Sequence, residues 1–404
     1  MSWRIAILIS AAIAVSYLDR QTLPVAISAI QEDIPISNTE FSQLQAAFLV
    51  AYALMYAGGG KFVDVLGTRR GFVWIMVTWS LACASHGLAN GFRMLLASRF
   101  LLGFGEGGGF PAATKAVAEK FTVAQRSTAM GIINAGTAVG AVIAPPMIAG
   151  ILAVGSWRWV FFVTGLIGLV WTVWWLWDFE GGETETKATA GAPGGGSAIP
   201  WMRLFTYREV WGLVLAKFLS DAAWYFYLFW LPKYLYDARG FDTKAVGYYA
   251  WIPYAAAGVG CLVGGWFSSW LLNRGHSLNL ARKAALGGSA AVMPLIIFVT
   301  QSPVELAIVL FSIAFFGQQS WSTLVMILPA DLFPRNTVGS VAGLVGFGGA
   351  MGGVVMNLAA GYLLDHGFGY GTVFGIVGTL HVLAFGLILV TIPKVEPLRT
   401  ESMA

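Results

Sequence analysis

Three cations stand in the middle of long apolar runs, each with a carboxylate close by in the chain. Arg20 follows Asp19, Arg99 precedes Glu106 by seven residues, and Lys217 precedes Asp221 by four. Seven residues make two helical turns, so Arg99, Gly103 and Glu106 share one face of a helix. Turned to lipid, Arg99 and Glu106 together would cost about 5 to 7 kcal/mol, while each Leu or Phe beside them offsets only about 0.3 to 0.6 kcal/mol. That face must meet protein or water. Gly103, Gly105 and Gly107 to Gly109 clear side-chain bulk beside the charges, which permits close helix contact or local unwinding. The chemistry on offer is that of a polar cavity in a membrane, where arginines hold an anion and carboxylates exchange a proton. Desolvation favours the protonated acid and a nearby cation the ionised one, so a cation that moves switches proton release. The competing reading is a static, packing-only ion network, which is a poor source of stability.

Depth along the helices refines this. At about 1.5 Å per residue from Ile5, Asp19 lies about 21 Å from the inner surface, in the outer half of a core about 30 Å thick. A helix entering from outside near Arg93 brings Arg99 to a similar depth, so Asp19 is expected to pair with Arg99. Glu106 is expected nearer the midplane, and Arg20, about 100° round the helix from Asp19, to face the pathway.

In KFLSDAAWYFYLFWLPKY, Lys217 and Asp221 are an i, i+4 pair, and two readings stand side by side: a self-neutralising structural pair or a functional one. Trp224, Tyr225, Tyr227 and Trp230 are interface or packing aromatics, of which one or two are candidates to stack on a sugar face. Gln318, Gln319, Ser320 and Trp321 form a polar cluster in an apolar run, suited to hydrogen-bonding a hydroxylated ligand or to holding helices together. Asn357 is a weaker candidate of the same kind. GKFVDVLGTRR places Gly60, Asp64, Gly67, Arg69 and Arg70 in a tight turn whose acid and bases are suited to breakable ion pairs at the inner mouth, a cytoplasmic gate. No phosphate loop, metal-ligand spacing or nucleophile triad occurs, so the chain is read as no enzyme, with no cofactor and no metal. The four histidines are scattered singly and carry little information.

The elements that must position these residues follow from composition. The 404 residues are 57% hydrophobic and 11% charged, with mean hydropathy +0.71, against about 25% charged in soluble domains. This is an integral membrane protein, and its seventeen Trp and fifty Gly suit that solvent. No basic run interleaves with aromatics, so nucleic acid is excluded as a partner. Cys83 and Cys261 are expected to be buried free thiols.

Although Trp3, Arg4 and the apolar run from Ile5 imitate a signal peptide, that run carries Asp19 and Arg20 and lacks a small-residue cleavage site, so it is read as helix 1. Six apolar runs precede residue 178 and six follow residue 208, the fourth covering about 93–118. The expected architecture is therefore an all-α membrane protein of twelve transmembrane helices. Residues 1–178 form one six-helix bundle, 179–207 a polar cytoplasmic linker, 208–395 a second six-helix bundle and 396–404 a cytoplasmic tail. With the N-terminus inside, sixteen Lys and Arg fall on the inner side and five on the outer, which places both termini in the cytoplasm. Arg20, Arg99 and Lys217 are left within spans.

These same residues carry a resemblance. Gly60 to Arg70 resembles the loop signature of the major facilitator superfamily, and Gly264 to Arg274 its degenerate second copy, lacking the Asp. YLDRQTLPVA at Tyr17, RFLLGFGEGGGFPAATKAVAEKF at Arg99, INAGTAVGAVIAPP at Ile133, FLSDAAWYFYLFWLPKYL at Phe218 and GQQSWSTLVMILPADLFP at Gly317 resemble the anion:cation symporter family, closest to bacterial hexuronate transporters. The likeness spans nearly all the chain except the linker. It implies proton-driven uptake of an anionic sugar acid, a hexuronate or an aldonate, by alternating access of the two bundles. By position it implies that Asp19 and Glu106 couple protons and that Arg20, Tyr52 and Arg99 engage or gate the substrate carboxylate. Gln318, Gln319, Trp321 and Asn357 would contact its hydroxyls. The setting it implies is a monomer in the lipid bilayer of a bacterial inner membrane. Thr137 departs from members with a longer polar side chain there, and Ala144-Pro145-Pro146 lacks the Gly-Pro pattern of drug antiporters. Weighed beside this are an organic-anion or lysolipid carrier of the sialin or spinster type and a non-transporting nutrient sensor.

Overall fold

The computed structural model describes residues 2–121, 123–179 and 201–398, and it is all-helical. Most of the expected linker, residues 180–200, and the end of the tail, residues 399–404, lie outside the described residues. In a bilayer interior each backbone N–H and C=O must be satisfied within the chain, which leaves helices as the form for these apolar runs.

The first half comprises α1 (Ser2–Asp33), α2 (Asn38–Leu66), α3 (Thr68–Ser85), α4 (Phe92–Gly107), α5 (Gly109–Lys120), α6 (Val123–Val154) and α7 (Trp157–Asp178). After the short α8 (Trp201–Leu204) come α9 (Arg208–Arg239), α10 (Thr243–Tyr249), α11 (Trp251–Asn273), α12 (Leu278–Val292), α13 (Val304–Leu332), α14 (Arg335–Asp365) and α15 (Gly369–Thr391). Among the described residues, nine helical segments are long and apolar enough to cross a membrane. Neither α4 nor α9 is among them. They carry Arg99 with Glu106 and Lys217 with Asp221, and these charges lower their hydropathy. The run expected over 93–118 is two helices that meet at Gly108, within the glycine stretch beside Glu106.

The same pairing recurs in each half. In the first half α1 packs on α6 and α2 on α4, and in the second α9 packs on α14 and α11 on α13. Two glycines show how close these seams are. A Cβ at Gly103 of α4 would stand 2.1 Å from the Phe48 carbonyl oxygen of α2, and one at Gly352 of α14 would stand 1.9 Å from the Phe218 carbonyl oxygen of α9. No side chain fits between such backbones.

Between the halves, α1 packs on α9, α2 on α14, and α6 on α10 and α11. The joint is latched at one end. Asp365, the last residue of α14, accepts hydrogen bonds from the backbone N–H groups of Asn38 (3.1 Å) and Thr39 (2.7 Å) at the start of α2, where the helix dipole favours a carboxylate. Tyr236 of α9 donates its hydroxyl to the Val25 carbonyl of α1 at 2.6 Å.

Candidate functional site

The centre of the first half is built on Arg20. Its Nε–H donates to Glu106 Oε2 at 2.8 Å, and Ser16 Oγ–H donates to the same oxygen at 2.6 Å. The guanidinium carbon lies 4.6 Å from the ring centroids of both Tyr17 and Tyr52 and 5.4 Å from that of Phe48. Glu106 therefore fixes one edge of the guanidinium while three aromatic rings hold its plane. The two terminal nitrogens of Arg20 donate to no described residue. A planar fork held in this way fits the two oxygens of a carboxylate.

Arg99 is the second cation. It is wholly buried, and its Nη2 donates at long range to Gln45 Oε1 (3.3 Å) and to the Arg20 carbonyl (3.4 Å). Its Nε and Nη1, like Glu106 Oε1, have no partner among the described residues. Both guanidinium groups approach the Phe48 ring, at 5.4 and 5.6 Å. Unpaired buried donors cost about 1 to 3 kcal/mol each, and a native interior rarely keeps them without a use.

Asp19 corrects the expected pairing. It does not meet Arg99; it accepts Trp79 Nε1–H at 2.8 Å and Cys83 Sγ–H at 3.4 Å, and Cys83 in turn contacts Thr164 Oγ1 at 3.2 Å. The partner change is Arg20 with Glu106 in place of Asp19 with Arg99. Depth along α1 gives a residue's height but not its bearing. A step of about 100° turns Asp19 to α3 while Arg20 turns to α2 and α4. Cys83 is a buried free thiol; Cys261, also free, is only half-buried.

The second half holds another charged cluster. Lys217 Nζ donates to Asp221 Oδ1 and to Ser322 Oγ, both at 2.8 Å. Gln318 Nε2 donates to the same Asp221 oxygen at 3.5 Å, and its Oε1 receives a short contact from His381 Nε2. Both ends of the Gln318 amide are thus engaged. Asn357 accepts Trp230 Nε1–H and donates to the Gly353 carbonyl, each at 2.8 Å, tying α9 to α14. Trp321 is buried against His381 and Phe385, in a packing cluster drawn from α8, α9 and α12 to α15. Gln319 is half-buried, and no described residue hydrogen-bonds its side chain. Of the second-half aromatics, Tyr225 lies at the joint of the halves, where a Cβ on Gly353 would meet it at 2.4 Å and Leu49 at 2.9 Å.

The structure brings Arg20, Tyr52, Arg99 and Glu106 together, sets Asp19 on another face of α1, gives the amides of Gln318 and Asn357 protein partners, and packs the Trp321 ring while its Nε1–H has no partner among the described residues. At the expected gate, Gly67 has φ +77 between α2 and α3, and Arg69 Nη2 donates to the Leu176 carbonyl at the end of α7 (2.7 Å), within its own half. Arg70 is exposed. The side chain of Asp64, and Gly60 with it, lie outside the described residues. Sequence reasoning passed over Ser16, Tyr17, Gln45, Phe48, Trp79 and His381. Gln45 and His381 were findable as polar residues within apolar runs, whereas Phe48 and Trp79 give no signal that separates them from packing aromatics. A groove of about 800 Å³ between α6 and the Asp242–Tyr249 stretch shares no residue with either cluster.

Comparison places the chain among known proteins. The model of the Major Facilitator Superfamily matches residues 9–329. A hexuronate transporter of Escherichia coli (strain K12) is 28% identical, with 98% of this chain and 95% of that protein covered. A probable sulfoacetate transporter of Cupriavidus necator is 31% identical, covering 91% and 88%. Among solved structures, a bacterial homolog of the human lysosomal transporter Spinster, inward-facing and occupied, matches with TM-score 0.72 at 18% identity, covering 96% of this chain and 94% of that one.

Proposed function

The chain belongs to the Major Facilitator Superfamily, and from that premise we propose that it is a proton-coupled symporter of an anionic sugar acid, a hexuronate or an aldonate, working by alternating access in a bacterial inner membrane. In this reading α2, the α4–α5 pair and α9 join the nine apolar segments to make twelve crossings in two six-helix bundles, with both termini cytoplasmic. The observation that carries the proposal is the Arg20 fork, fixed by Glu106, Tyr17 and Tyr52 with its terminal nitrogens free. The likeness to a 28% identical hexuronate transporter supports the class of substrate.

Charge balance links anion to proton. Two buried cations, Arg20 and Arg99, are balanced by two buried carboxylates, Glu106 beside Arg20 and Asp19 on another face of α1, so the centre of the first half is neutral when both acids are ionised. A bare anion would leave a net negative charge in a buried site, which is strongly disfavoured. With one acid protonated the site carries one positive charge, and a monoanion neutralises it. Proton and substrate are then stable together, and the empty site is stable without either. Both conditions define symport. A lysolipid carrier is less well served, because the second half presents Lys217, Asp221 and Gln318 where an acyl chain would need apolar walls.

The direct test is uptake into proteoliposomes of labelled galacturonate, glucuronate, galactonate and glucarate, with and without an inward proton gradient. At least one hexuronate or aldonate is expected to accumulate, and only with the gradient. Uptake of none, or uptake indifferent to the gradient, refutes the proposal.

Arg99 supplies a second test. Its two unpartnered donors burden the empty protein, so Arg99→Gln is expected to raise the melting temperature without substrate by a few degrees, about 1 to 3 kcal/mol being at stake for each donor. It is also expected to abolish the further rise that galacturonate produces in the parent. A melting temperature that falls, with the galacturonate response intact, would make Arg99 structural.

A further inference from the structure

The charge balance of the first half leaves Lys217 and Asp221 unused. They are 6% and 7% exposed, and a buried ion pair is a weak means of stabilising a helix. The environment is built around them with some care. Asp221 Oδ1 accepts both hydrogen bonds the group receives, from Lys217 Nζ and Gln318 Nε2, while Oδ2 accepts none from the described residues. On the side of Oδ2 stands Gly349 of α14, where a Cβ would come within 2.3 Å of that oxygen. The position has room for a hydrogen and for little else on the protein side. Tyr225, one turn along α9 from Asp221, and Leu49, one turn before Tyr52 on α2, both border Gly353 of α14. The pair therefore lies on the side of the second half that meets the helix carrying Tyr52.

We propose that Lys217 and Asp221 form a second anion seat, closed while Asp221 is ionised and opened when Asp221 takes a proton, so that doubly anionic sugar acids are carried with one proton more than monoanions. This rests on the reading of the protein as a sugar-acid symporter. The steps balance. A proton from water binds Oδ2; the Lys217 ammonium, now without a counter-charge but still bonded to Ser322 Oγ, takes the second carboxylate of the substrate. On release the carboxylate leaves, the proton leaves Oδ2, and Lys217 returns to Asp221.

Gln318 and His381 are positioning residues for this switch. Because Gln318 Nε2 donates to Asp221, its Oε1 must face His381, and His381 Nε2 must carry the hydrogen. Its Nδ1 has no partner among the described residues, so the bond to Gln318 is the one that orients the ring. The amide of Gln318 thereby stays turned toward Oδ1 in both states of Asp221, which directs the proton to Oδ2. The titratable and charged groups facing Asp221 are Lys217 and Tyr225 from α9, Tyr17 from α1 and, through Gln318, His381 from α15; Ser322 of α13 and Gly349 of α14 add no charge.

The test compares labelled galacturonate, a monoanion, with labelled galactarate, a dianion, in proteoliposomes holding a pH-sensitive dye. The parent is expected to move one proton more per galactarate than per galacturonate. In the Lys217→Gln, Asp221→Asn double variant, the ratio of galactarate to galacturonate uptake should fall by about tenfold or more. Asp221→Asn alone should still carry galactarate, with one proton fewer per molecule. A ratio at the parental level in the double variant overturns the proposal, and so does a parent that carries galacturonate but no galactarate. If the double variant fails to purify as a single species, the proton count of Asp221→Asn decides. A parent that carries neither compound, nor any other anion of the panel, refutes the symport reading itself and is thus told apart.

Discussion

Arg20→Lys keeps the charge of the site and is still expected to lower sugar-acid uptake about 100-fold, a loss of about 3 kcal/mol. The reason is geometric. Arg20 uses Nε to hold Glu106 and presents two terminal nitrogens in the same plane, with the rings of Tyr17 and Tyr52 at 4.6 Å fixing that plane. A lysine ammonium is a point charge on a mobile stem and cannot bond Glu106 and both oxygens of a carboxylate in a set geometry. It also loses the flat stacking against the tyrosines. Exchange of labelled for unlabelled galacturonate, measured without a gradient, should fall as much as driven uptake, because the defect lies in binding rather than in coupling. Arg20→Gln, lacking both charge and fork, should show no exchange above background. Exchange in Arg20→Lys within about threefold of the parent would remove the fork from substrate binding.

Glu106→Gln separates the two activities in the opposite way. Its Oε2 accepts Ser16 and Arg20, while Oε1 has no partner among the described residues. A glutamine can therefore keep its oxygen toward Ser16 and Arg20 and place its NH₂ where nothing is displaced. The fold of the site survives and its charge rises by one, as though the acid were permanently protonated. An anion then binds and crosses without a proton. A symporter moving one proton per monoanion sustains about tenfold accumulation for each unit of pH difference, since both amount to about 1.4 kcal/mol. In Glu106→Gln the accumulation ratio is expected to fall to one, while counterflow exchange continues and no longer responds to pH. Concentrative uptake at the parental level would assign coupling elsewhere, with Asp19 the next acid to test.

Much of this site was legible before any coordinates. Arg20, Arg99 and Glu106 declared themselves because a charge in an apolar run is costly wherever it sits, and glycines on the Glu106 face marked the close seam that Gly103 makes with Phe48. The all-helical fold followed from hydropathy alone. The pairing did not. Asp19 and Arg20 are adjacent in sequence, and reasoning from depth gave the wrong one to the α4 charges. Gln318 and Asn357 read as groups for a hydroxylated ligand or for holding helices together, and the tertiary structure engages both amides with His381, Asp221, Trp230 and the Gly353 carbonyl. Arg69 read as a gate residue, and it bonds the end of α7 in its own half.

Composition and spacing by themselves determined which residues are too expensive for lipid, how far along its helix each lies and which face of that helix it occupies, because these depend only on side-chain chemistry and on the regular rise and turn of one helix. Which charge meets which, and which polar group is left free for a ligand, depend on the rotation of each helix about its axis and on the neighbours it then faces. Those rotations are settled by contacts between residues far apart in the chain, such as Gly103 on Phe48 and Gly352 on Phe218. That is why the Arg20 to Glu106 pair, with its open guanidinium fork, appeared only in the folded structure.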